Sequence, residues 1–352
     1  MRFIHAADIH LGAQPDKGKP WSELRSEEIW HTFRKLLDLA EEEKADLLLI
    51  AGDLFHRPPL LRELKEVNYL FGKLSCTQVV WIAGNHDHLR PDAPSRTFEW
   101  AENVCFLDGK ECECVRFEEL QTSVYGFSYY QKEIAQPRYD HLRPDTEDGC
   151  HILLAHGGDS AHIPIDKRKL ARSGFDYVAL GHIHKPQVLV ENQIAYAGAL
   201  EPIDVNDTGM HGCILGEYHN GVIQTEFVPL ASREYVHLEI ACVREDTDHA
   251  IRDRLEAEIH RRGRQHFYKV TLTGYRSPDI RFSVQAYTQC GNIVEIIDKT
   301  CPDYDFEELQ RIHRGDLIGK YIEKLLPRPD DSEEQRRVRE QALYYGLDVL
   351  CK

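Results

Sequence analysis

No CxxC pair and no dense run of cysteines occurs in this chain of 352 residues; its ten cysteines, Cys76, Cys105, Cys112, Cys114, Cys150, Cys213, Cys242, Cys290, Cys301 and Cys351, lie scattered. That spacing excludes a disulfide framework and reads as reduced core thiols in a cytoplasmic protein. No stretch approaches the roughly 18 consecutive apolar residues of a membrane span. The opening MRFIHAADIHLG has no basic segment leading into an apolar one, so neither a secretory leader nor membrane contact is expected. Positive charge is scarce as well: 43 Lys and Arg stand against 59 Asp and Glu, a net charge of −16. Such a balance does not imply long-range steering of DNA by the chain alone. Internal repeats and low-complexity segments are absent, which leaves a globular enzyme long enough for two domains.

Histidine, by contrast, is plentiful: there are nineteen, many directly after apolar strand-like stretches, a placement that asks for a metal. RFIHAADIH, ADLLLIAGDLF and TQVVWIAGNHD read as buried strands. Between them lie two helical patterns, the first with Leu24, Ile29, Phe33, Leu36, Leu37 and Ala40 at helical spacing, the second LLRELKEVNYLFGKL. This βαβαβ order predicts an α/β fold whose sheet is covered on both faces. Ligands are then expected beyond the carboxyl ends of the strands. Residues from about 104 to 150 carry no regular pattern. Beyond them CHILLAHGG, FDYVALGHIH, IAYAGA and GCILGEYHNGVIQTEFVPL predict further strands, the last a hairpin turning at Asn220-Gly221. Residues 1–230 therefore read as the main domain, 231–300 as a small α+β domain of β-α-β-β layout, and 301–352 as C-terminal helices. Those helices are interrupted near Gly315, hinge at Pro327 and Pro329, and end in a helix capped by Ser332.

Five strand ends carry side chains of the metal-binding type: Asp8 and His10; Asp53; Asn85 and His86; His156; His182 and His184. A single such residue is more often structural than functional, so the case rests on joint occurrence. On an extended segment residues i and i+2 share a face, which lets Asp8 and His10 grip one ion together. His182 and His184 have the same spacing and could each face a different ion of an adjacent pair. Asp53 can bridge the two, one charge per oxygen, with the ions about 3.5–4 Å apart as in two-metal phosphoryl hydrolases. The Asn85 amide oxygen and a neutral His156 imidazole would complete the coordination of the second ion. Mixed nitrogen and oxygen donors suit manganese, iron or zinc without deciding among them.

The ordered set DIH, GDLF, GNHD, AHG and GHIH resembles the calcineurin-like metallophosphoesterases. Within them, GDLFH, GHIHKPQ, YAGALEP and FVPLASREYVHLEI resemble the SbcD and YhaO type, bacterial relatives of a double-strand-break repair nuclease subunit, over roughly residues 1 to 240. The resemblance implies a sandwich of two sheets flanked by helices, with a small cap domain. It implies two divalent metal ions, manganese first and iron or zinc as alternatives, one on Asp8, His10, Asp53 and His184, the other on Asp53, Asn85, His156 and His182. It further implies that His86 acts at the leaving oxygen as proton donor or charge stabiliser, that Asp87 holds the other ring nitrogen of His86, and that His56 contacts phosphate or DNA. Gly84 gives the backbone room for the turn between them. His88 reads as a surface residue, and His5, His151 and His211 as structural.

The activity implied is a metal-dependent DNA nuclease of repair and recombination, a 3′ to 5′ exonuclease on double-stranded ends, with endonuclease action left open. The implied partners are DNA, an SbcC-like ATPase of the structural-maintenance type held by the C-terminal helices, and a second copy of the chain. HRRGRQHFYKV offers Arg261, Arg262, Arg264 and Lys269 to phosphates; a solvated helix end is the equal alternative. The terminal apolar set Ala342, Leu343, Tyr345, Leu347 and Leu350 must bury its face, either on its own domain or on a partner's coiled coil. Overall acidity sits awkwardly with a lone DNA binder. Two rival functions follow: a small-substrate phosphodiesterase or phosphatase of the same superfamily, and a DNA-end-binding scaffold with a non-productive metal site. Against the scaffold stands the complete ligand set.

Overall fold

Successive residues of the N-terminal strands are apolar because both faces of each strand are covered. The computed structural model describes residues 1–146 and 148–350, so Cys351 lies outside the described residues. Contacts divide the chain into two units, Met1–Tyr235 and Val236–Lys352. The first unit runs through β1 (Arg2–Ala6), α1 (Ser22–Glu42), β2 (Leu47–Ala51), α2 (Leu61–Phe71), β3 (Gln78–Ile82), β4 (Val104–Phe106), β5 (Glu113–Phe117) and β6 (Thr122–Gly126). It continues with β7 (Cys150–His156), α3 (Lys167–Leu170), β8 (Tyr177–Gly181), β9 (Gln187–Val190), β10 (Ile194–Tyr196), β11 (Gly212–His219) and β12 (Val222–Pro229). One sheet has the order β12-β11-β1-β2-β3-β4 and the other β5-β6-β7-β8-β10-β9. Their centres are parallel, β1 through β4 in the first and β6-β7-β8-β10 in the second.

Strand alternation sorts the side chains into three layers. Ile4, Ala6, Leu48, Ile50, Val79 and Trp81 meet Ile29, Phe33, Leu36, Leu64, Val67 and Phe71 of α1 and α2. Their neighbours Phe3, Ala7, Leu47, Leu49, Val80 and Ile82 point the other way and pack on Val124, Ile152, Leu154, Tyr177 and Ala179 of the second sheet. The far face of that sheet is covered by Phe127, Tyr129, Ile134, Tyr139 and Leu170. This is the α/β sandwich of two mixed sheets flanked by helices that the resemblance implied. The irregular stretch from 104 to 150 supplies β4, β5, β6 and much of the cover. Among the described residues all nine cysteines are unpaired, but only Cys150, Cys213 and Cys242 are buried; Cys76 and Cys114 are exposed, which corrects the reading of every thiol as core.

The second unit holds β13 (Tyr235–Cys242), α4 (Asp248–Arg262), β14 (Phe267–Arg276), α5 (Val284–Tyr287), β15 (Ile293–Asp298), β16 (Cys301–Pro302), α6 (Phe306–Ile312), α7 (Leu317–Leu325) and α8 (Glu333–Leu350). Its sheet has the order β13-β14-β15, with β16 also pairing β14. Ile251, Leu255 and Ile259 of α4 pack on Leu238, Ile240, Val270 and Leu272. Gly315, at φ 94°, separates α6 from α7. Ser332 and Gln335 cap each other at the start of α8 through Gln335 N–H to Ser332 Oγ (3.3 Å) and Ser332 N–H to Gln335 Oε1 (2.9 Å). Leu343 and Leu347 are buried with Ile322 of α7.

Candidate metal centre

Both sheets deliver their polar residues at strand carboxyl ends. Asp8 and His10 follow β1, Asp53 follows β2, Asn85 follows β3, His156 closes β7, and His182 and His184 follow β8. The loops after β1 and β2 are zipped together by Asp8 N–H to Gly52 O (3.1 Å) and His10 N–H to Asp53 O (3.0 Å). Asp8, His10, Asp53 and His182 all have positive φ, 49°, 52°, 52° and 96°. Backbone held in this region by the surrounding packing is strain of the kind found at functional sites. Gly84 is needed for close approach: a Cβ there would lie 2.3 Å from Asp53 Oδ1 and 2.7 Å from His156 Nε2. Its φ is not left-handed, so room for neighbouring side chains, rather than turn freedom, explains it.

Two sets of donor atoms converge. In the first, Asp8, His10 and His184 bring ligand atoms within 4.8 Å of one another, with His10 Nε2 3.2 Å from His184 Nε2 and 3.9 Å from Asp53 Oδ2. The Nδ1–H of His184 donates to Asp207 Oδ2 (3.0 Å), which leaves its Nε2 as a lone pair. In the second, His156 Nδ1–H donates to Ala51 O (2.9 Å) and His182 Nε2–H to Asp159 Oδ2 (2.8 Å). Their remaining nitrogens, His156 Nε2 and His182 Nδ1, then present lone pairs at 2.9 and 3.1 Å to Asn85 Oδ1, itself an acceptor. Asp53 Oδ2 lies 3.4 Å from His156 Nε2, while Asp53 Oδ1 accepts the His86 backbone N–H at 2.8 Å. With these imidazoles neutral, nitrogen lone pairs and the Asn85 and Asp53 oxygens face one another, and such a set of nitrogen and oxygen donors suits a divalent cation.

Charge states respond to this crowding. Burial pushes Asp8 up to about 6. Burial also acts to raise Asp53, but the imidazoles of His156, His10 and His86 outweigh it and hold that carboxyl well below its ordinary value. Burial lowers His156, yet the Asp53 and Asp8 carboxylates prevail and bring it up to about 9. His184 likewise reaches about 9, where Asp207 and Asp8 overcome burial. His10 and His182 fall, His182 to about 4, because burial dominates.

The flanking residues divide. His86 is half-buried, its Nδ1 donating to His56 O at 3.1 Å, and its ring stacks on His56 with centroids 5.0 Å apart. His56 Nδ1 lies 3.4 Å from His10 Nδ1. Asp87 does not hold the His86 ring, which corrects its expected role: its carboxylate turns back to accept the N–H groups of Gly84 (2.7 Å) and Phe55 (3.1 Å), so it fixes the loop. His88 is half-buried with Nδ1 3.0 Å from Asn85 O, not simply a surface residue. His5 and His211 are buried between hydrogen-bond partners, and His151 is buried beside Tyr125. In the second unit Arg261 and Arg262 both pair with Glu258 (2.6 and 3.2 Å) and Lys269 pairs with Glu295 (2.9 Å). Arg264 is exposed.

Four residues around the centre escaped the sequence reading. Asp159 and Asp207 orient His182 and His184, and Tyr129 and Tyr139 anchor the His156 backbone: Tyr129 Oη donates to its carbonyl (2.9 Å) and Tyr139 Oη accepts from its N–H (2.9 Å). Only Asp159, three residues past His156, left a trace that a search for carboxylates near the AHG motif would have found.

The fold and the two converging donor sets define a phosphoesterase, and the chain belongs to the calcineurin-like phosphoesterase family, whose family model matches residues 1–186. Members of this family bind divalent metals and hydrolyse phosphoester bonds. Among individual proteins, the chain is similar to the uncharacterized metallophosphoesterase YhaO of Bacillus subtilis, 35% identical over 248 residues that cover 64% of this chain and 60% of YhaO. It is also similar to the DNA double-strand break repair proteins Mre11 of Aeropyrum pernix and Methanocaldococcus jannaschii. The first is 28% identical over 60% of this chain and 56% of that protein, the second 31% over 59% and 58%. The aligned part thus spans less than two thirds of each relative. Among the described residues no helix is long and apolar enough to cross a membrane.

Proposed function

We propose that the chain is a manganese-dependent DNA nuclease that hydrolyses backbone phosphodiesters at double-stranded ends, with 3′ to 5′ exonuclease polarity, and works with an SbcC-like ATPase. The observation that carries the hydrolytic part is the convergence of His156 Nε2 and His182 Nδ1 on Asn85 Oδ1, at 2.9 and 3.1 Å, beside the Asp53 carboxylate, a donor set that suits a divalent cation. Divalent ions held by the seven ligands would supply Lewis-acid compensation for the charge that develops on a phosphodiester. Around them the chain's own residues orient and exchange protons. His86, fixed by Nδ1–H to the His56 carbonyl, keeps Nε2 for the leaving oxygen. His56, stacked on His86, is set to contact the substrate phosphate. DNA as substrate draws support from the Mre11 relatives. On this reading the first unit, 1–230 by its sequence pattern, is the nuclease, 231–300 helps to present DNA, and 301–352 binds the ATPase.

A second reading, hydrolysis of a small phosphodiester, is favoured by one observation: three of the four candidate DNA-contacting cations are paired with glutamates in a chain of net charge −16. Purified chain with manganese should be given end-labelled linear duplex, a closed circle and a chromogenic diester, with His86→Ala beside it. We expect shortening of the linear duplex alone, lost in His86→Ala while its metal content stays normal. Diester hydrolysis with intact DNA, also in the presence of the ATPase, would favour the second reading.

A further inference from the structure

The imidazole of His182 is gripped from both sides. Nδ1 faces Asn85 Oδ1 at 3.1 Å inside the centre, and Nε2 meets Asp159 Oδ2 at 2.8 Å outside it. Asp159 is itself held in orientation: its Oδ1 accepts the backbone N–H groups of Ala161 (2.7 Å) and His162 (2.9 Å), and its carboxylate also faces the His162 ring Nδ1 at 2.9 Å. Every group around Asp159 is an N–H or ring nitrogen, and an ionised carboxylate has only lone pairs to offer. The proton shared with His182 must then sit on Nε2, so Nδ1 turns a lone pair toward the second ion position.

We infer that Asp159 is a positioning residue that fixes the Nε2–H tautomer of His182 and thereby governs the second ion selectively, an inference that rests on the two-ion reading above. The first ion has a separate carboxylate: Asp207 holds Nδ1 of His184 at 3.0 Å, with Ile203 and Asp204 N–H on the same oxygen. The two imidazoles of the GHIH motif thus face opposite requirements, one metal-facing through Nδ1 and the other through Nε2, and each has its own outer carboxylate to enforce the choice.

Asp159→Asn separates charge from shape. The Ala161 and His162 N–H groups retain the amide oxygen on their side, which sets the NH2 group against His182 Nε2. Turning the amide over instead sets NH2 against two backbone N–H donors. In the favoured orientation His182 Nε2 has to accept, and its proton moves to Nδ1, where it points into the ion position. An amide in place of a carboxylate that orients an imidazole imposes the wrong tautomer in this way.

The test uses the full chain, selectively labelled with 15N-histidine and free of metal, with His182 assigned by its loss in His182→Gln. We expect Nε2–H in the parent chain and Nδ1–H in Asp159→Asn. Manganese(II) titration by calorimetry, with bound ions counted by electron paramagnetic resonance, should show two ions in the parent. The variant should keep one at parental affinity and bind the other about 10–100-fold more weakly. Asp159→Ser, which keeps an acceptor for the turn but does not reach His182, should weaken the same ion and decides the matter if the Asn variant is misfolded by circular dichroism. An unchanged tautomer with two ions at parental affinity would overturn the role of Asp159 while leaving the two-ion centre standing. A parent chain that binds no pair of ions would remove both.

Discussion

His5 lies on β1, the strand that leads to the first ligands, and strand alternation turns it with Phe3 and Ala7 into the layer between the sheets, where its ring meets Tyr177 Oη (3.0 Å) and Leu180 O (3.2 Å). Burial there, only partly offset by the Leu180 carbonyl, brings its pKa down to about 3 from 6.5. A histidine depressed in the folded state contributes stability that is present above the unfolded value; as pH falls below it, the unfolded chain takes up a proton that the folded chain refuses. Stability is therefore lost between pH 6.5 and about 3, at up to about 1.4 kcal/mol per unit of pH. His5→Asn keeps polar atoms against Tyr177 and Leu180 but does not titrate. We expect its urea midpoint to fall less steeply on acidification than that of the parent; parallel curves would show that His5 carries none of the acid sensitivity. Asp87 illustrates the same scale from the other side. Adjacency to His86 in the chain does not fix where a carboxylate points, and the backbone N–H groups of Gly84 and Phe55 claim it instead.

Elements, more than single residues, decided what could be read in advance. Strands covered on both faces leave near-continuous apolar runs, and ligands set directly at their ends inherit a fixed spacing, so β1, β2, β3, β7 and β8 and all seven candidate ligands stand out in the chain. Asp159, Asp207, Tyr129 and Tyr139 sit in loops without a period, and their value depends on which ring nitrogen or backbone group faces them, which only the fold decides. Helix α1 hides another such link. Arg25 is fully buried, with Glu28 Oε2 at 2.6 Å and Glu201 Oε2 at 3.7 Å. Glu201 Oε1 in turn accepts Thr32 Oγ1 (2.5 Å) and the Ser232 N–H (2.6 Å), tying α1 to segments far along the chain. Glu201→Ala takes the acceptor from the Thr32 hydroxyl and the Ser232 N–H and one carboxylate neighbour from buried Arg25, which keeps Glu28, so it should cost about 3 kcal/mol in urea unfolding. A cost below about 1 kcal/mol would put the pair in the class of exposed ion pairs.

At the scale of the whole molecule, a net charge of −16 bears directly on the polyanionic substrate proposed above. Each phosphate neutralised by Lys or Arg adds about 0.9 to the salt slope of duplex binding, so a chain whose cations are largely matched by acids should bind DNA weakly by itself and with a shallow slope. On the proposed function a partner contributes the missing contacts, and α8 offers a place to hold one. Leu343 and Leu347 are spent on α7, whereas Val338, Tyr345 and Val349 are 57%, 76% and 69% exposed at helical spacing on the same helix. An apolar stripe left over after one face is packed suits a second helix. Tyr345→Glu, combined with Val349→Lys, should leave the α7–α8 contact and the hydrolysis of a model diester unchanged, because neither side chain is buried. The same pair of changes should abolish co-purification of an SbcC-like ATPase and, with it, the steeper salt dependence of DNA binding in its presence. Full retention of the ATPase by the double variant would place the partner's contact elsewhere in the chain and leave the stripe without a role.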